Sequence, residues 1–177
     1  MDILAHGLWA GVGAVALQRR WRLTRSTVAV TVGMALLPDV VHLLPSLGWA
    51  LFGDGSYSAL RAYALALPGQ EPVVPPLIGL LTHNLHCILH SAVVAAAATL
   101  LLWAMLRRFW IPLLGWWSHI VIDVFTHSAD FYPSPVFYPF TQWGFDGLAW
   151  NTPWFMVVNY AALGVALVCL VRFRTPR

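Results

Sequence analysis

Nine residues able to bind metal or move protons fall inside or at the edges of apolar, helix-length stretches: His6, Asp39, His42, His83, His86, His90, His119, Asp123 and His127. A carboxylate or imidazole at bilayer depth is expensive and is retained where it pairs, lines a cavity or binds a ligand. Imidazole and carboxylate with almost no thiol form the donor set of a divalent-metal site; Zn²⁺ suits it best, and Mn²⁺ or Fe²⁺ can use the same mixed N/O ligands. The spacings are helical. Asp39 and His42 are i,i+3, His83, His86 and His90 are i,i+3,i+7, and His119, Asp123 and His127 are i,i+4,i+8. Each set therefore shares one helical face, and pairs at such spacing can chelate one ion.

The residues do not carry equal weight. His83 lies one turn above His86 and reads as a rim residue making an interhelical hydrogen bond. His127, at a helix end, is open between ligand and interfacial residue. Asp39, His42, His86, His90, His119 and Asp123 form the main set, joined by His6 near the outer edge. Asp39 and Asp123 lie in apolar helices with no Lys or Arg among them, and a divalent cation would neutralise both. Asp2, Asp54, Glu71, Asp130 and Asp146 read as solvated or interfacial, with Asp130 of interest because it follows His127 by three residues. Cys87 and Cys169 provide neither a disulfide framework nor a C-x-x-C motif.

The elements that must position these groups follow from composition. Of 177 residues, 59% are hydrophobic and 10% charged, against roughly 25% charged in a soluble domain; mean hydropathy is +0.71. The chain reads as an all-α, polytopic integral membrane protein of about five transmembrane helices, a single domain over 1–177. The apolar segments run 3–18, 27–47, 77–106, 110–127 and 153–171, the first at the short end of the ~17–25 residues needed to span. There is no basic stretch ahead of it, as a signal peptide would have. Pro38 should perturb the second helix and free a carbonyl beside a cavity.

All ten basic residues are Arg. Arg19, Arg20, Arg22 and Arg25, Arg107 and Arg108, and Arg172, Arg174 and Arg177 lie on one side of a five-span arrangement, and only Arg61 lies opposite. The positive-inside rule places the N-terminus outside and the C-terminus in the cytoplasm of a cell (inner) membrane. The net charge of +3 thus reflects orientation, not nucleic-acid binding. The loops 48–76 and 128–152 become extracytoplasmic. Residues 56–67 suit a short interfacial helix, broken by Pro68, Pro72, Pro75 and Pro76. Tyr132, Phe137, Tyr138, Phe140, Trp143, Phe145 and Trp150 suit an aromatic belt or a lid over a site for an amphipathic substrate. At about 1.5 Å rise per residue, most of the His/Asp set falls in the outer half of the bilayer, with His90 and His119 nearest the midplane.

The motifs Ala5-His6-Gly7, Leu37-Pro38-Asp39 with His42, His90-Ser91, and Gly115-Trp-Trp-Ser118-His119-Ile-Val-Ile-Asp123 resemble the YdjM/YbcI-like family of predicted membrane-bound metal-dependent hydrolases. Thr126 and Tyr138-Pro139-Phe140 also fit, and the resemblance covers most of the chain outside 48–76. It implies metal binding and hydrolysis. Two departures are present. Val41 stands where the family commonly has a second Asp, and Leu85-His86-Cys87-Ile88-Leu89 replaces its His-Arg-Gly-x-Thr stretch. One metal or two both stay open.

The resulting expectation is metal-dependent hydrolysis from the extracytoplasmic side, on a lipid-like or phosphoester substrate, with membrane lipids as surroundings. The metal would acidify a water and polarise the scissile oxygen. The candidate metal ligands are His6, Asp39, His42, His86, His90, His119 and Asp123, with His42 and His86 completing a second site or orienting a ligand. Asp39 and Asp123 are also the candidate catalytic residues, since one could serve as general base. Ser91 and Ser118 read as backbone-bonding hydroxyls. The rival expectation is a non-enzymatic metal-binding or transport protein, or a haem electron-transfer protein using bis-His ligation. A structural scaffold holding a stabilising metal is a third.

Overall fold

A computed structural model describes residues 1–18, 20–66, 70, 72–130 and 133–172. Arg19, Pro68, Glu71, Tyr132, Arg174 and Arg177 lie outside the described residues. Eight helices and no strand occur among the described residues: α1 (Ile3–Leu17), α2 (Arg25–His42), α3 (Leu44–Phe52), α4 (Tyr57–Leu65), α5 (Pro76–Leu89), α6 (Ala92–Leu106), α7 (Leu113–Thr126) and α8 (Pro153–Arg172).

Every apolar segment is helical, but two of them are broken. The stretch 27–47 divides into α2 and α3, which bend by 56°. Pro45 explains the break, because it lacks the N–H that would bond the Val41 carbonyl; the Leu43 N–H bonds that carbonyl instead. The stretch 77–106 divides into α5 and α6, bent by 62°. His90 ends α5 and Ser91 caps α6, so His83, His86 and His90 do not share the face of one continuous helix. By contrast, α2 runs unbroken through Pro38 to His42. The loop expected from residue 48 starts only after Phe52, and the short helix expected at 56–67 is α4, capped by the Ser56 hydroxyl.

One described helix, α8, is long and apolar enough to cross a membrane, and up to three spans result if each bent pair counts as one. α1 and α7 are shorter apolar helices. Much of α8 turns apolar side chains outward: Val157, Val165, Val168 and Val171 are all exposed. Such a surface suits hydrocarbon and is unfavourable in water.

Packing sets the helix directions. Gly7 and Gly11 of α1 lie against Leu36 and Val32 of α2, so these two helices are antiparallel. Ser46 meets Thr82, and His42 meets His86, so α5 runs antiparallel to α2 and α3. The α2–α7 pair is parallel and very close. A Cβ on Gly115 would lie 2.0 Å from the Thr31 carbonyl oxygen, and four residues on, His119 bonds the Ala35 carbonyl. Only glycine allows this approach. One core cluster centres on Ala95, Leu113, Trp116, Ile120 and Val136, and another on Met1, Ala5 and Leu163. The C-terminal carbonyls of α7, otherwise without helical donors, accept from the returning loop: Gly147 N–H bonds His127 O, Leu148 N–H bonds Phe125 O and Trp150 N–H bonds Thr126 O.

Candidate metal centre

Asp39, His90, His119 and Asp123 converge in the interior, each offering a ligand atom within 4.8 Å of the others. All four are buried. α2 supplies Asp39, the α5–α6 joint supplies His90, and α7 supplies the other two one turn apart. The close α2–α7 crossing at Gly115 brings the carboxylates together: Thr31, Ala35 and Asp39 step along α2 in register with Gly115, His119 and Asp123 on α7.

Both imidazoles are fixed in one tautomer. His119 Nδ1–H donates to Ala35 O at 2.8 Å, and His90 Nδ1–H donates to His86 O at 2.8 Å. A carbonyl can only accept, so each neutral ring presents a bare Nε2 to the centre. Those two Nε2 atoms are 3.0 Å apart. His90 Nε2 lies 3.5 Å from Asp39 Oδ1 and 3.4 Å from Asp123 Oδ2. For His119 Nε2 the corresponding distances are 3.7 and 3.1 Å. Ligands around a tetrahedral ion with bonds of about 2.1 Å sit roughly 3.4 Å apart. The donor set therefore has the chemistry and size to hold a metal ion.

The carboxylates have divided roles. On Asp123, Oδ1 accepts from the Met1 amine and from His6 Nε2 at 2.9 Å, with His127 Nε2 at 3.5 Å. Its Oδ2 faces His90 and His119, and it is a buried oxygen without a hydrogen bond. Asp39 Oδ2 is also buried without one. Unsatisfied carboxylate oxygens in an apolar interior cost free energy unless a cation meets them.

The other sequence candidates surround this core. His6 lies outside the four-residue group, stacked on the His119 ring at 3.8 Å and bonded to Asp123; it supports two of its members. His42 and His86 also lie outside it. They are half-buried, at 5.9 and 4.0 Å from the His90 ring and 5.4 Å from each other. His42 Nδ1–H donates to Pro38 O at 3.2 Å, the same tautomer-fixing device as in the two core imidazoles. His127 joins the margin, its Nε2 3.1 Å from the Met1 amine. His83 is exposed, with Nε2 3.5 Å from Cys87 Sγ, and stands away from the centre.

Of the remaining acids, Asp54 accepts from Trp49, and Asp146 accepts from Ala129. Asp130 is exposed. Asp2, expected to be solvated or interfacial, has a structural role: Oδ1 caps α1 through Ala5 N–H and accepts from Tyr160. Ser118 donates to the Gly115 carbonyl, and Ser91 Oγ to the Tyr138 carbonyl. Sequence reasoning missed Gly115 as the crossing point, although a glycine one turn before Ser118-His119 is a visible signal for close approach. It also missed the Met1 contact, which no periodicity reveals.

No family model, curated protein or solved structure matches the chain.

Proposed function

We propose that the protein is a multi-span membrane protein whose buried His/Asp centre binds a divalent metal, Zn²⁺ by ligand type, and hydrolyses a lipid-like or phosphoester substrate from the extracytoplasmic side. The observation carrying this reading is the convergence of two tautomer-fixed Nε2 atoms with two carboxylates that each retain an unsatisfied buried oxygen. When bound, the metal supplies Lewis acidity, acidifying water and polarising an ester oxygen. Asp39, His90, His119 and Asp123 would hold it. His6 orients His119 and Asp123 by stacking and hydrogen bonding, the kind of outer partner that tunes ligand basicity. His42 and His86 border the centre where it is least buried and would face an entering substrate or complete a second metal position.

Five spans with the N-terminus outside account for the arginine distribution, with the broken α2–α3 and α5–α6 pairs as single spans. The parallel course of α2 and α7 and the antiparallel course of α1 and α5 against α2 fit that topology. Interrupted helices are tolerated at membrane depth where protein satisfies their backbone. The Leu-Pro-Asp, His-Ser and Ser-His-x-x-x-Asp motifs support relationship to the YdjM/YbcI-like family. Bis-His haem ligation is a poorer reading: Nε2 atoms 3.0 Å apart leave no room for a macrocycle between them.

The test uses detergent-purified protein and its Asp123→Ala variant. Elemental analysis and an absorbance spectrum come first, followed by phosphoester and lipid hydrolysis screens. Metal in wild type, less in the variant, and metal-dependent turnover are expected. A Soret band, or wild type without metal in chelator-free buffer, would sink the reading.

A further inference from the structure

His90 does not sit inside a helix. α5 ends at Leu89 and α6 begins at Ala92, so this ligand occupies a two-residue joint with Ser91. Breaking a helix in apolar surroundings strands carbonyls at one end and N–H groups at the other. Trp116 Nε1–H reaches across from α7 to the Leu89 carbonyl at 2.6 Å. The start of α6 is met from the loop that follows α7. Ala92 N–H donates to Val136 O at 2.9 Å, and the Ser91 hydroxyl donates to Tyr138 O at 2.6 Å. The same hydroxyl accepts from Val94 N–H at 3.2 Å, capping α6. Ser91 is fully buried, and Val136 belongs to the core cluster of Trp116 and Ile120.

We propose that the segment Val136–Tyr138 is a strap that positions the metal ligand His90, with Ser91 as the positioning residue that fastens it. The inference rests on the metal reading of the centre. The ring orientation of His90 depends on two anchors. One is its own Nδ1–H bond to His86 O, within the last turn of α5. The other is the placement of the joint behind it, which the strap holds through the Ala92 N–H on Val136 O and the Ser91 hydroxyl on Tyr138 O and, at 3.5 Å, on Val136 O. Without the strap, the Trp116 bond to Leu89 O still holds the α5 end, but the start of α6 loses its hydrogen bonds to the loop after α7. His90 Nε2 then loses its register against His119, whose own position is set independently by α2 through Ala35 O.

Two substitutions separate the strap from general packing. Ser91→Ala removes the hydroxyl's bonds to Tyr138 O and Val136 O and the cap on α6. Ala92→Pro removes the N–H donated to Val136 and sets a ring carbon against that carbonyl, leaving the Ser91 hydroxyl in place. Ala92 is the first residue of α6, where proline is well tolerated, and Ser91 is already extended (φ −86°, ψ 124°), as a residue before proline must be. The experiment is a zinc titration of detergent-purified protein against a competing chelator, with thermal unfolding of the metal-free forms alongside. Both variants should bind zinc about 10–100-fold more weakly, the loss typical of outer-shell partners, with helical content retained. If the folded variants bind zinc as tightly as wild type, the strap is only a structural joint and the proposal is overturned, whatever the change in thermal stability. Should Ser91→Ala fail to fold, Ala92→Pro decides alone. Wild type that binds no zinc overturns the metal reading and the strap with it, an outcome distinct from tight binding by all three proteins.

Discussion

The Nε2 atoms of His90 and His119 face one another at 3.0 Å while both Nδ1 atoms are engaged by backbone carbonyls. Neutral rings held in this way bring lone pair against lone pair. The pairing is unfavourable by itself and becomes favourable when a cation or proton lies between. Asp39 and Asp123 stand at the same point, adding negative charge and two further donors. The arrangement is costly for a purely structural core and suited to coordination.

Ligands and their supports should separate in metal affinity. Asp123→Ala removes one of the four converging donors and should leave little or no bound metal by elemental analysis. His6→Ala removes the stack on His119 and the bond to Asp123 Oδ1 but no member of the four. It should retain metal with affinity lowered about 10–100-fold. Equal loss in the two variants would place His6 among the ligands.

Gly115→Ala should destabilise the fold and the centre together. The added Cβ would meet Thr31 O at 2.0 Å and Ala35 N at 3.0 Å, both backbone atoms that cannot rotate aside. Overpacking of this kind costs about 1–3 kcal/mol. The displacement would also part Asp39 from Asp123. A lower melting temperature and reduced metal content are expected in the same sample; an unchanged melting temperature would contradict so close a crossing.

His83 and His86 are three residues apart but should behave differently. His83→Ala should leave metal content and affinity unchanged, because its ring is exposed and bonds Cys87 Sγ, away from the centre. His86→Ala removes the ring stacked on His90 at 4.0 Å while keeping the carbonyl that fixes the His90 tautomer. A several-fold loss of affinity is expected in chelator competition.

Orientation can be tested with single cysteines in a Cys87→Ala, Cys169→Ala background. Phe140→Cys should react with a membrane-impermeant thiol reagent in intact cells. Arg108→Cys should react only after permeabilisation. The reverse pattern would invert the proposed topology, and labelling of both sites from outside would remove it.

The helical character of the chain was legible from its apolar segments, because hydrophobic content and period are local properties. The break after His42 was also locally encoded, in Pro45. The break at His90 was less so. Ser91 is a good capping residue, but its hydroxyl is held by Tyr138, 47 positions away, and no local pattern specifies that partner. The candidate ligands were visible as residue types at helical spacing. Spacing determined which of them could share a face, and hence that Asp123 would accompany His119. It left open how each helix is rotated about its axis and how closely it packs. Those were decided by the Gly115 crossing, the bond from His119 to Ala35 across 84 positions and the kinked joint at His90. These non-local contacts gathered Asp39, His90, His119 and Asp123 into the centre, set His6, His42 and His86 around it and left His83 outside. A sequence states which donors a helix carries, whereas coordination depends on ångström-scale distances between helices, and only packing sets those.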